Sequence, residues 1–154
     1  MAYYEDLGPC DYFGPINGQL LAVGWLDREH AISKGQVTPQ FFESLARLVA
    51  NVWQPFVLAG RHPCEFCIFT GGPSEVQVGD ISVSVGAANV FVPTAEGVYV
   101  APSLVLHYID AHEYAPPDAF RRAVEACPEM RSMAYLKAIR QHGINRLGVR
   151  GGGG

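Results

Sequence analysis

The stretch His62-Pro63-Cys64-Glu65-Phe66-Cys67 decides how the rest of the chain is read. Two cysteines separated by two residues sit on one tight turn and aim both thiolates at a single ion. Forty positions on from Cys67, the stretch His107-Tyr108-Ile109-Asp110-Ala111-His112 supplies two imidazoles at a spacing used by Cys2His2 sites. Borderline-soft Zn2+ accepts both donor types, and four such ligands close a tetrahedron. The expected metal ligands are therefore Cys64, Cys67, His107 and His112, around one structural Zn2+.

Helix geometry sets a condition on this pairing. At about 100° per residue, His107 and His112 lie about 140° apart around a regular α-helix. Both reach one ion only if the helix tightens or unwinds near His112, where Pro116 and Pro117 forbid it from continuing far. On the same wheel Leu104, Val105, Tyr108, Ile109 and Ala111 share the histidine side, and Leu106 and Asp110 point away. His62 is an alternative ligand to a histidine, although a role beside the ligands suits it better. Cys10 and Cys127 read as small apolar core residues. His30 and His142 read as ordinary loop and helix-end residues.

Outward from the motif, punctuation and periodicity divide the chain. Residues 1–18 are rich in Gly, Pro, Asp and aromatics and read as irregular structure. Residues 19–26 form a short buried strand. Thr38 caps a helix with Pro39 in its first turn, and Phe41, Phe42, Leu45, Leu48, Val49 and Val52 recur at helical spacing until Pro55. Residues 56–70 hold strand-like apolar residues around the cysteines. Gly71-Gly72-Pro73 is a turn. Strands are predicted at 75–78, 81–85, 88–92 and 97–100. Pro102 opens a helix through His112, Pro116-Pro117 opens another through Cys127, and a last helix runs from about Ser132 to Gln141, with Met133, Leu136 and Ile139 inward and Gly143 as its stop. The order predicts an α+β fold, with a small antiparallel β region and about four helices around a zinc-finger-like Cys2His2 site. A parallel sheet is not expected. One domain is expected over 1–146, with a flexible Gly-rich tail over 147–154.

Composition bounds the function. The chain has 154 residues, of which 49% are hydrophobic, enough to bury a core without disulfides. The formal net charge of −4 argues against a general nucleic-acid binder, because phosphate recognition needs clustered Lys and Arg. The charge is uneven: residues 121–154 carry seven bases against Glu125 and Glu129, which read as solvated helix faces. The start lacks the basic and apolar regions of a signal peptide, and no apolar run is long enough to cross a bilayer. A cytoplasmic location is expected. Reduced cysteines then favour a metal site over a disulfide.

Several enzyme classes lack their signatures. Pro63-Cys64-Glu65-Phe66-Cys67 matches half of the zinc deaminase pattern, but His30-Ala31-Ile32 has Ile where that chemistry needs Glu. The 39 residues between Cys67 and His107 far exceed the roughly 12 of a DNA-reading finger. No nucleophile elbow, phosphate loop or HExxH motif is present. Hence no catalytic residue is assigned. The expected function is a non-catalytic zinc-stabilised module with an unidentified protein partner. The alternatives are a metalloenzyme with an open zinc site near His62 and Glu65, where Glu65 or Asp110 serves as base, and a nucleic-acid accessory factor using the basic C-terminal helices.

Tyr4-Glu5-Asp6-Leu7 with Tyr12-Phe13, Val23-Gly24-Trp25-Leu26, Gly60 to Cys67, Tyr99-Val100-Ala101-Pro102 and His107 to Pro117 together resemble an uncharacterised family of small bacterial proteins known only as a domain of unknown function. The likeness covers most of residues 3–142. It implies a zinc-binding-like protein and supplies no activity.

Overall fold

The computed structural model describes residues 3–13, 20–54 and 62–144. The element order is β1 (Leu20–Ala22), α1 (Pro39–Ala50), β2 (Glu75–Val78), β3 (Ile81–Ser84), β4 (Asn89–Pro93), β5 (Val98–Pro102), α2 (Val105–His112), α3 (Asp118–Ala126) and α4 (Met133–Arg140). The α+β class is as expected, with four helices among the described residues. The expected tail over 147–154 and the stop at Pro55 lie outside the described residues.

The sheet has the order β1-β5-β4. β4 and β5 form an antiparallel pair, and β2–β3 is a separate antiparallel hairpin. β1, however, runs parallel to β5, with Leu20 opposite Val98 and Ala22 opposite Val100. The chain between them carries α1 and the hairpin, which is ample for the crossover a parallel pair requires. Soon after β1 ends at Ala22, Gly24 turns the backbone to φ +77°, where a Cβ would sit 2.8 Å from Val105 Cγ2. Trp25 follows, fully buried, and donates its indole N–H to Val100 O at 3.0 Å. The irregular lead runs along the other side of β1: Leu7 and Cys10 donate to Ala22 O and Leu20 O, and Ala22 donates back to Gly8 O.

The core lies between sheet and helices. Thr38 Oγ1 accepts from Phe41 N–H and starts α1, which buries Phe41, Leu45, Ala46, Leu48 and Val49 against α3 and β3. Pro102 closes β5 instead of opening α2; it is paired in register with Asn89. The Ser103 hydroxyl then accepts from Gly86 N–H and Ala88 N–H, and the helix begins only at Val105. α4 is capped by Ser132, whose Oγ accepts from Tyr135 N–H. Its inward face also differs from expectation. Met133 is exposed, while Tyr135 and Ile139, one helical turn apart, are buried and Leu136 is half-buried. Tyr135 is admitted because its hydroxyl finds a partner, donating to Phe91 O at 2.6 Å. Among the described residues, no helix is long and apolar enough to cross a membrane.

Candidate metal centre

Of residues 56–70, expected to hold strand-like residues, 56–61 lie outside the described residues and 65–70 form consecutive turns. Cys67 N–H donates to Cys64 O at 3.2 Å, Gly71 N–H to Cys67 O at 2.8 Å, and Cys64 N–H to Gly71 O at 2.6 Å. Residues Cys64 to Gly71 are thus a closed knuckle. Inside it, the N–H groups of Phe66 and Cys67 hydrogen-bond the Cys64 sulfur. Such bonds favour a thiolate, but burial outweighs them and holds the Cys64 thiol up, to about 11. A bound cation removes that proton.

α2 delivers the imidazoles. Its first half is enclosed on all sides: Val105, Leu106, His107 and Tyr108 are buried. Leu106, expected to point away, is therefore interior, and Ala111, expected on the histidine side, is exposed. The start of the helix packs against α1 and, through Val105, against Gly24, and only its last turn reaches the surface.

The helix stays α-helical through His112 and stops immediately after it. Glu113 N–H donates to Tyr108 O, five residues back instead of four, and Glu113 adopts φ +58°. A left-handed residue with such a closing bond is a common way for an α-helix to end. Tyr114 N–H also donates to Tyr108 O, at 3.2 Å, which ends the helix there.

The result is a compact constellation. The Nε2 atoms of His107 and His112 are 3.3 Å apart. Cys67 Sγ lies 3.3 Å from His107 Nε2 and 3.5 Å from His112 Nε2. Cys64 Sγ lies 3.5 Å from His112 Nε2. One donor atom from each of Cys64, Cys67, His107 and His112 falls within 4.8 Å of all the others, so the group could hold a metal ion. Cys64 and His107 are buried, while Cys67 and His112 are half-buried. Burial lowers the pKa of both histidines; His112 further lowers that of His107, and Lys34 that of His112. Both rings are thereby biased to the neutral, ligating form.

The remaining candidates fall elsewhere. His62 is half-buried, its N–H donates to Gly86 O at 2.7 Å, and its ring lies edge-on to Tyr12. The Glu65 carboxylate accepts from Arg28 N–H at 3.4 Å, and Asp110 is exposed. Cys10 is buried in the core and Cys127 is half-buried at its edge; burial raises both thiols to about 11. His142 Nε2 lies 2.6 Å from Thr94 O, and His30 stacks on Tyr3 while its Nδ1 meets Asp27 at 2.7 Å. A small cleft of about 270 Å3 opens beside His112, walled by Phe66, Ile32 and Lys34.

Two contributors were not legible as site residues in the sequence. Gly72, read only as part of a turn, packs directly against Cys64 and His107. Lys34 bears electrostatically on His112 from a distant loop. The adjacent Gly71-Gly72 pair was the one available signal, since glycine admits close backbone approach.

The family described as Domain of unknown function (DUF7919) matches residues 2–125, a span that runs from the irregular lead through most of α3 and includes all four cysteine and histidine positions. Neither a curated protein nor a solved structure matches this chain. The chain belongs to the family DUF7919, a domain of unknown function.

Proposed function

We propose that this chain is a non-catalytic, zinc-stabilised interaction domain, in which Cys64, Cys67, His107 and His112 close a structural site. The observation that carries the reading is the set of distances between donor atoms. A zinc tetrahedron with Zn–S of about 2.3 Å and Zn–N of about 2.0–2.1 Å has N···N edges of about 3.4 Å and S···N edges of about 3.5 Å. The four quoted separations are 3.3, 3.3, 3.5 and 3.5 Å. A harder cation such as Mg2+ or Ca2+ takes oxygen ligands instead.

A structural role is favoured because four protein donors leave no position for a reacting water. The side chains that an open site would need are turned away: Glu65 meets the Arg28 backbone and His62 packs near Tyr12. The nucleic-acid alternative is weakened by the uses found for its bases. The Arg131 guanidinium donates to Asn51 O and Val52 O at the end of α1, and Arg121 pairs with Asp118. A reducing compartment such as the cytoplasm suits a site built on thiols.

Metal analysis and cobalt substitution test this. One zinc per chain, and a Co2+ form with the intense visible bands of tetrahedral S2N2 coordination, are expected. A five- or six-coordinate Co2+ spectrum, or hydrolytic turnover that disappears in Cys64→Ser, would overturn the structural reading in favour of an open site.

A further inference from the structure

The knuckle holds its two thiols side by side but opens only one of them to solvent. The bond from Cys67 N–H to Cys64 O makes Cys64 to Cys67 one β-turn. Such a turn keeps its first and last Cα atoms within about 7 Å, close to the span of about 4.4–6.8 Å that a disulfide bridges. The two thiols are free, and their side chains hydrogen-bond each other. Cys64 is 2% exposed and packs against Gly72, whereas Cys67 is half-buried. Cys10 and Cys127 stand outside the cluster of donors, so neither is placed to compete for the pair.

We propose that Cys67 is a site of reversible oxidation by a peroxide, and that Cys64 resolves the oxidised residue into a Cys64–Cys67 disulfide. The chemistry belongs to the thiols, and only its consequence rests on the zinc reading above. The Cys67 thiolate attacks one oxygen of hydrogen peroxide and the O–O bond breaks. The departing hydroxide takes up a proton as water, and Cys67 becomes a sulfenic acid. The Cys64 thiolate then attacks the Cys67 sulfur and the S–O bond breaks, with a second hydroxide leaving and taking up a proton as water. The thiol pair has lost two electrons and the peroxide has gained them. Exposure assigns the order of events: the half-buried sulfur meets the oxidant, and the enclosed one is already within reach of it. The product removes both sulfur donors at once. Two imidazoles remain, which do not close a zinc site. The knuckle and the end of α2 are then held together by packing, with the Phe66 ring 5.8 Å from that of Tyr108 and 5.3 Å from that of His112, and no longer by shared ligation.

The test treats the folded full chain, as purified, with hydrogen peroxide at about one equivalent, then alkylates it in denaturant. Loss of the Cys64 and Cys67 thiols together is expected, with Cys10 and Cys127 still free. Cleavage after Glu65 separates the two cysteines in sequence, so their peptides should stay joined by the new bond alone and part on adding dithiothreitol. Dimedone present during oxidation should label Cys67 at least tenfold more than Cys64. A chromogenic chelator should record about one zinc released per bond formed. Cys10→Ser/Cys127→Ser should form the same bond within about twofold of the wild-type rate, and if that variant does not fold, the wild-type peptide map decides. First labelling at Cys64, Cys10 or Cys127, a Cys67 that stops at sulfenic or sulfinic acid, or thiols intact under about tenfold excess peroxide would each overturn the proposal. A joined pair that keeps its zinc would overturn the loss of the sulfur donors. A chain that forms the bond but never held zinc would support the oxidation site and remove the zinc reading instead.

Discussion

A Cβ added to Gly72 would lie 2.9 Å from the Cβ of Cys64, closer than real side chains approach, and 3.5 Å from His107 Nε2. Gly72 also has φ +90°, a backbone region that side chains rarely adopt. Both restrictions act on the buried half of the metal constellation. Gly72→Ala is therefore expected to destabilise the fold by about 1–3 kcal/mol through backbone strain and to weaken metal binding by about 10–100-fold through displaced ligands. Thermal melts and competition with a chromophoric chelator read the two effects separately. A variant with wild-type values in both would show that the close approach is not restrictive.

Ligand deletion should separate the four clustered residues from their neighbours in sequence. His107→Ala and Cys64→Ala are expected to abolish stoichiometric metal and to unfold the domain or lower its melting temperature steeply, because metal binding and folding are coupled. His62→Ala and Cys10→Ser should keep full metal content. Removal of metal from the wild type by a strong chelator should reproduce the His107→Ala melt. Equal melts before and after confirmed metal removal would contradict the structural role.

Asp6 ties the N-terminal segment to the core. Its carboxylate accepts from the Tyr114 hydroxyl at 2.8 Å and from Gly24 N–H at 3.0 Å. Tyr114 is fully buried, and hydrogen bonds to a charged group contribute about 1.5–3 kcal/mol. Tyr114→Phe should cost about that much in denaturant unfolding without altering metal stoichiometry. Tyr114 also immediately follows the left-handed Glu113 that ends α2, so a loss of metal here would mean that this anchor also orients His112.

Arg131 provides a test of the basic C-terminal end. Its guanidinium bonds two carbonyls at the end of α1, one of them at 2.7 Å. Arg131→Ala is expected to lower stability by about 1–3 kcal/mol, the cost of stripping partners from carbonyls away from full solvent. Wild-type and variant chains should both fail to retard short duplex DNA or RNA at low salt. Salt-sensitive binding lost in the variant would instead assign Arg131 to phosphate recognition.

The amino-acid sequence by itself determined the class of fold, most element positions and the two halves of the metal group. These are local properties. Capping at Thr38, the helix start near Ser132, periodicity in α1, alternation at 81–84 and the Cys-x-x-Cys spacing depend on neighbours a few residues away. Tertiary structure decided what depends on distant partners. β1 runs parallel along the edge of β5 that the antiparallel partner β4 leaves free. Leu106 is buried where it was expected to point away, and Tyr135 is buried because the Phe91 carbonyl on β4 accepts its hydroxyl. His107 and His112 meet across the last turn of α2, their Nε2 atoms 3.3 Å apart, just before the left-handed Glu113 ends the helix. Helical periodicity gives the angle between the two residues but not the side-chain reach that brings their rings together, because that reach is set by what packs around the end of the helix.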